Sequence, residues 1–214
     1  MKKSILAIAF IALTVISCKN DKKKAATGEE VKDVKKVENV INSYKANVAE
    51  SVVAWKGNKP TGSHNGVLKI QNGIFDIENG TLKAGEFTID MNTITCTDLE
   101  AGQGKEKLEG HLKASDFFDV EKFPTAKFVI ASSEKKDGKL HVTGNLTLKD
   151  VIKSITIPVT VTEDGDSATL KSETFSVDRT EFGVTYSSKK FDAALKDKFI
   201  NDLMEISFDI KAKK

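Results

Sequence analysis

Residues 140–161, LHVTGNLTLKDVIKSITIPVTV, decide the fold class. Leu140, Val142, Leu146 and Leu148 alternate with His141, Thr143, Asn145 and Thr147, and Gly144 completes the apolar row. Past Lys149 and Asp150 the alternation resumes, with Ile155, Ile157, Val159 and Val161 set against Ser154, Thr156, Pro158 and Thr160. A period of two places alternate side chains on opposite faces of a strand, so each segment reads as an antiparallel strand with one buried face. The same pattern recurs in Phe87, Ile89 and Met91, and again in Met204, Ile206, Phe208 and Ile210. Turn signals separate such runs: QNG at 71–73, ENG at 78–80, KDG at 136–138 and EDGD at 163–166. Many one-sided strands joined by tight turns must bury their apolar faces against a second sheet or by closing on themselves. An all-β barrel or sandwich follows.

Two segments leave this pattern. In GKEKLEGHLKA, residues 104–114, Leu108, His111 and Leu112 have helical spacing; in DAALKDKFIND, residues 192–202, Leu195 and Phe199 lie four apart. Each reads as a short helix or turn over the sheet or across a barrel end.

The 214 residues carry a net charge of only +2, with lysines scattered along the chain, so nothing favours a nucleic-acid partner. The first residues, MKKSILAIAFIALTVISC, place two lysines before an apolar run too short to span a bilayer comfortably. This is the pattern of an export signal, and its end, a small residue followed by Cys18, resembles the lipobox of bacterial lipoproteins. That resemblance implies a signal peptide over 1–17, lipidation of Cys18, and attachment to a membrane of the cell envelope, facing the periplasm or the cell surface. Residues 18–42, rich in Lys, Glu and Asp and lacking aromatics, read as a flexible charged tether, leaving 43–214 as the folded domain.

Catalytic chemistry is sparse. There is no phosphate-binding glycine loop, His-Glu-x-x-His, Cys-x-x-Cys or Gly-x-Ser-x-Gly, and His64, His111 and His141 are isolated in sequence. Cys96 reads as a small apolar residue at a strand end. His64, in TGSHNG, is expected to bond backbone at a turn, and Asp116 and Asp119 to satisfy backbone N–H groups at the corner they flank. Arg179 is the sole arginine among 33 basic residues. Its planar, bidentate guanidinium suggests a partly buried ion pair with Asp116, Asp119 or Asp178, packed near Phe182.

Three stretches in order, GHLKASDFFDVEKFPTAKF (110–128), VTGNLTLKDVIKSITIPV (142–159) and FSVDRTEFGV (175–184), resemble the YceI-like family of lipocalin-like, polyisoprenoid-binding proteins. The departures fall in turns, where Asp150 and Ile152 replace a glycine and a threonine common in the family. The resemblance implies an antiparallel barrel of about eight strands holding one elongated apolar lipid, an isoprenoid or isoprenoid quinone. On that reading the wall comprises Trp55, Phe87, Ile89, Met91, Phe117 and Phe118. It continues through Phe128, Ile130, Leu146, Leu148, Ile157 and Val159, and closes with Phe175, Val177, Met204, Ile206 and Phe208; Phe123 joins the aromatic rim.

The expected role is a non-enzymatic carrier or buffer for an isoprenoid-type lipid, without metal or other cofactor. Two alternatives stay open: a quinone-linked redox accessory beside a membrane cytochrome, and an interaction module with a collapsed barrel. A homodimer is compatible with either.

Overall fold

The computed structural model describes residues 24–37 and 43–214. Eight strands form the wall: β3 (Val52–Lys59), β4 (Gly62–Glu78), β5 (Thr81–Cys96), β6 (Thr125–Lys136), β7 (Lys139–Leu148), β8 (Val151–Asp164), β9 (Ser167–Ser172) and β11 (Leu203–Lys213). Each pairs antiparallel with the next along the chain, and β11 pairs with both β9 and β3. The last two pairings close the ring, which removes the open edges that a sandwich would leave. Short strands extend it: β2 (Tyr44–Ala46) lies between β4 and β11, β10 (Phe175–Asp178) pairs with β11, and β1 (Ala26–Gly28) pairs with β8.

The hairpins use the turn chemistry written in the sequence. Asn79 and Gly80 take φ of 53° and 67° between β4 and β5, and Asp137 and Gly138 take 51° and 75° between β6 and β7. Two consecutive left-handed residues match the twist of the flanking strands. QNG at 71–73 does otherwise. β4 runs straight through it, and the apparent turn is an irregularity where the register with β5 shifts between Ile70 and Asn72. Such a bulge bends a strand without ending it.

The segment read as a wholly flexible tether is partly ordered. Ala25 is buried and its N–H reaches Ser176 O at 2.8 Å, while Asn145 clamps Val31 through both its amide groups, each at 2.8 Å. Strand pairing and a buried amide therefore hold residues 24–31 against the barrel, which composition alone could not reveal. Residues 1–23, with the expected signal peptide and Cys18, and residues 38–42 lie outside the described residues.

Helix α1 (Lys105–Lys113) follows β5, and a short 3-10 turn (Ala193–Leu195) occupies the second helical segment. Beyond α1 the chain folds tightly through Phe117 and Phe118 into β6.

Gly144 shows how closely the wall is packed. A Cβ there would stand 2.5 Å from Phe128 Cζ and 2.6 Å from Val129 O, the latter a backbone atom that cannot swing aside. Gly144→Ala is expected to lower stability by about 1–3 kcal/mol through this overlap, measured as a shift in urea midpoint; an unchanged midpoint would show that both the Phe128 ring and the Val129 backbone give way at little cost.

Candidate functional site: an apolar cavity in the barrel

Inward rows from the eight wall strands, together with α1 and the aromatic corner, enclose a cavity of about 190 Å³. Every apolar wall residue named from the sequence, from Trp55 to Phe208, lines it except Phe123. Phe123 lies outside, with the ammonium groups of Lys122 and Lys149 at 4.9 and 5.9 Å from its ring centre. Trp55, Ile89, Phe128, Leu146, Met204, Ile206 and Phe208 are only partly buried although they line the cavity, consistent with a wall not filled by its own side chains.

One end is plugged. Tyr44 stacks on Phe75 at 5.7 Å and Phe75 meets Phe87 at 5.8 Å, with Leu82 buried in the same cluster. Of these only Phe87 lines the cavity. Polar groups gather at the opposite end, where Lys56, Gly57, Arg179 and Asn201 join the lining. Phe117 and Phe118 form the wall beneath α1, edge to face at 4.9 Å.

Arg179 is fully buried. Its guanidinium donates to Val184 O at 2.8 Å, Ile200 O at 3.0 Å, Asn201 O at 3.2 Å and Asp202 Oδ1 at 3.4 Å, and its Cζ lies 5.7 Å from the Phe117 ring centre. Burial pulls its pKa down from the usual arginine value, a pull opposed by the nearby carboxylates of Asp202 and Asp178. The expected burial is present, but the ring recorded beside the guanidinium is that of Phe117 where the sequence pointed to Phe182, and the ionic partner is Asp202. Asp178 instead accepts from Thr180 and from Lys190 Nζ at 2.6 Å. The arginine thus ties the loop after β10 to the segment entering β11.

The other polar expectations need correction. Asp116 Oδ2 lies 3.3 Å from His111 Nε2. Asp119 supports the corner through its backbone, with φ of 51° and a carbonyl accepting from Lys122 and Phe123. His64 meets a side chain: its Nδ1 lies 2.9 Å from Asp98 Oδ2. Burial opposes ionisation of Asp98, yet hydrogen bonds from Asn65 N–H, Cys96 and His64 bring its carboxyl down to about 2. Burial pushes the Cys96 thiol up. His111 packs on Tyr186 at 4.5 Å, and no cluster of metal-ligating groups among the described residues contains two histidines.

Among the lining residues that sequence reasoning omitted from the wall are Val53, Leu68, Ile70, Ile94, Leu112 and Ile200. Leu68 and Ile70 alternate within GVLKI and were legible there. Ile94 was not, because a register shift between β4 and β5 changes the parity after Met91.

Residues 44–212 match the YceI-like domain family. The chain belongs to that family. Protein YceI of Salmonella arizonae is 32% identical over 101 residues, 47% of this chain and 50% of that protein, so the match spans about half the length of each. Among solved structures, Burkholderia cenocepacia BcnA superposes with a TM-score of 0.64 at 23% identity, covering 78% of this chain and 99% of that one. A polyisoprenoid binding domain from Saccharophagus degradans gives a TM-score of 0.57 at 11% identity, covering 79% and 97%. At these identities the likeness establishes the YceI-like barrel itself.

Proposed function

We propose that this YceI-like barrel binds one elongated apolar lipid, of isoprenoid or isoprenoid-quinone type, and acts as a carrier or buffer in the cell envelope. The observation that carries the reading is the cavity, a continuous hydrocarbon wall plugged at one end, with its few polar groups at the other. Such a site suits a tail inserted first and a head group left near the rim. Trp55 adds to this, for its indole N–H is buried without a partner among the described residues while its ring lines the cavity. A ligand oxygen would satisfy that donor. Family membership and the polyisoprenoid binding domain with the same fold support the same class of ligand.

Purified protein is expected to release an isoprenoid-type lipid into organic solvent for mass spectrometry. Delipidated, refolded protein should rebind it with a change in the fluorescence of Trp55, the sole tryptophan. Folded protein that yields no lipid and rebinds none would overturn the reading.

The lipobox resemblance supports attachment to a membrane through Cys18. The described chain begins at Lys24, whose ammonium lies 2.9 Å from Glu181 and 3.4 Å from Asp178, beside Arg179 and the polar end of the cavity. Six residues span at most about 20 Å, so a lipid on Cys18 would hold that end toward the bilayer. A single acyl chain anchors only marginally, whereas several make attachment durable. Cys18→Ser is accordingly expected to move the protein from the membrane to the soluble fraction. Wild-type protein that is already soluble and takes up no palmitate analogue would exclude the anchor.

A further inference from the structure

We propose that His64, Cys96 and Asp98 form a binding site for a borderline-soft divalent cation of the zinc type, with a fourth position open to solvent. One ligand atom from each, an imidazole nitrogen, the thiol sulfur and a carboxylate oxygen, all lie within 4.8 Å of one another. A cation at their centre stands within about 2.8 Å of each before any adjustment, close to the ~2.0–2.3 Å of zinc–nitrogen, zinc–oxygen and zinc–sulfur bonds.

The backbone holds the three groups in register. Cys96 pairs with Gly66 across β4 and β5, two residues beyond His64, and Thr97 N–H donates to Asn65 O at 2.9 Å. Asp98 then turns back: its Oδ2 meets His64 Nδ1 at 2.9 Å, while its Oδ1 accepts from Asn65 N–H at 2.8 Å and from Cys96 Sγ at 3.1 Å. The Cys96 N–H is held by Glu109 Oε1 at 2.8 Å, from α1. The Asn65 and Glu109 contacts would orient the ligands from outside the coordination sphere, while the His64–Asp98 and Cys96–Asp98 hydrogen bonds would give way to the ion.

The donor set selects the metal class. One nitrogen, one sulfur and a single carboxylate are too few oxygens for calcium or magnesium, whereas they suit zinc or cobalt. Cys96 is fully buried, and His64 and Asp98 lie toward solvent with side chains 32% and 28% exposed, so the sulfur forms the floor and the entry is from outside the barrel. Replacing the thiol proton by the cation would join β4, β5 and the connection to α1, whose Leu112 lines the cavity. The site does not depend on the lipid-binding reading.

The test uses the full chain carrying Cys18→Ser, so that Cys96 is the only thiol, titrated with Co²⁺ and then with Zn²⁺. Expected are a thiolate-to-cobalt charge-transfer band saturating at one ion per chain, its loss on adding Zn²⁺, and a higher melting temperature with Zn²⁺. Cys96→Ser should abolish the band. His64→Asn, at a partly exposed position that leaves the core untouched, should weaken affinity tenfold or more. Absence of a thiolate band, or a His64→Asn protein that binds as tightly as its parent, would overturn the proposal; the latter would place the ion on surface carboxylates.

Discussion

Arg179→Met is expected to lower unfolding stability by about 3–5 kcal/mol, and Arg179→Lys by a substantial part of that, because either leaves buried acceptors unpaired. The guanidinium serves three backbone carbonyls, of Val184, Ile200 and Asn201, as well as the Asp202 carboxylate. Those carbonyls belong to loops with no ladder partner to replace it. Lysine keeps the charge but presents one nitrogen where two edges of a planar fork are needed. For a chain of this size each kcal/mol moves the melting temperature by about 2–4 °C, so both variants fall within easy calorimetric reach. Urea midpoints within error of wild type would show that the loop network holds without the arginine. Because Arg179 also lines the polar end of the cavity, retained lipid affinity in folded Arg179→Lys protein would assign it a structural role alone.

The same residue shows what a sequence conveys and what it withholds. Its solitary occurrence signalled a special environment, yet Asp202 went unnamed because it lies 23 positions further along the chain, beyond loop and turn. Period-two alternation disclosed β5, β7, β8 and β11 and the inward row of each, and from these the apolar wall. Alternation is local, so it carries no information on which strand closes a ring. It therefore left barrel and sandwich open, a choice settled in the structure by the pairing of β11 with both β9 and β3. Local signals also misled where backbone irregularity intervened. QNG has the composition of a turn but lies within β4, and Ile94 appears out of phase because of the register shift beside it. The His64–Asp98 contact, 34 residues apart, and the docking of Ala26–Gly28 on β8 depend on long-range pairings for which no spacing rule exists.

Affinity for isoprenoid quinones is expected to rise with tail length and then level off. Burying hydrocarbon contributes roughly 0.8 kcal/mol per methylene-sized group, so one further five-carbon unit should strengthen binding about tenfold or more even after ordering costs. The gain should stop once the tail fills the cavity of about 190 Å³, since the Tyr44–Phe75 plug prevents deeper insertion. Ile206 supplies the discriminating variant. It lies on β11 between its cross-strand neighbours Phe175 and Trp55, all three on the wall, and remains only partly buried. Ile206→Trp adds bulk at a place with adjacent free space, so overpacking should cost little more than about 1–3 kcal/mol of stability. It should nevertheless weaken binding of long-tailed quinones tenfold or more while leaving short-tailed analogues nearly unaffected. Ile206→Val, which enlarges the cavity slightly, should bind long tails like wild type. Titrations of delipidated, folded proteins across a series of tail lengths decide the matter. A head group bound with equal affinity whatever its tail, or an Ile206→Trp protein that binds long tails normally, would move the ligand out of the barrel and onto its surface.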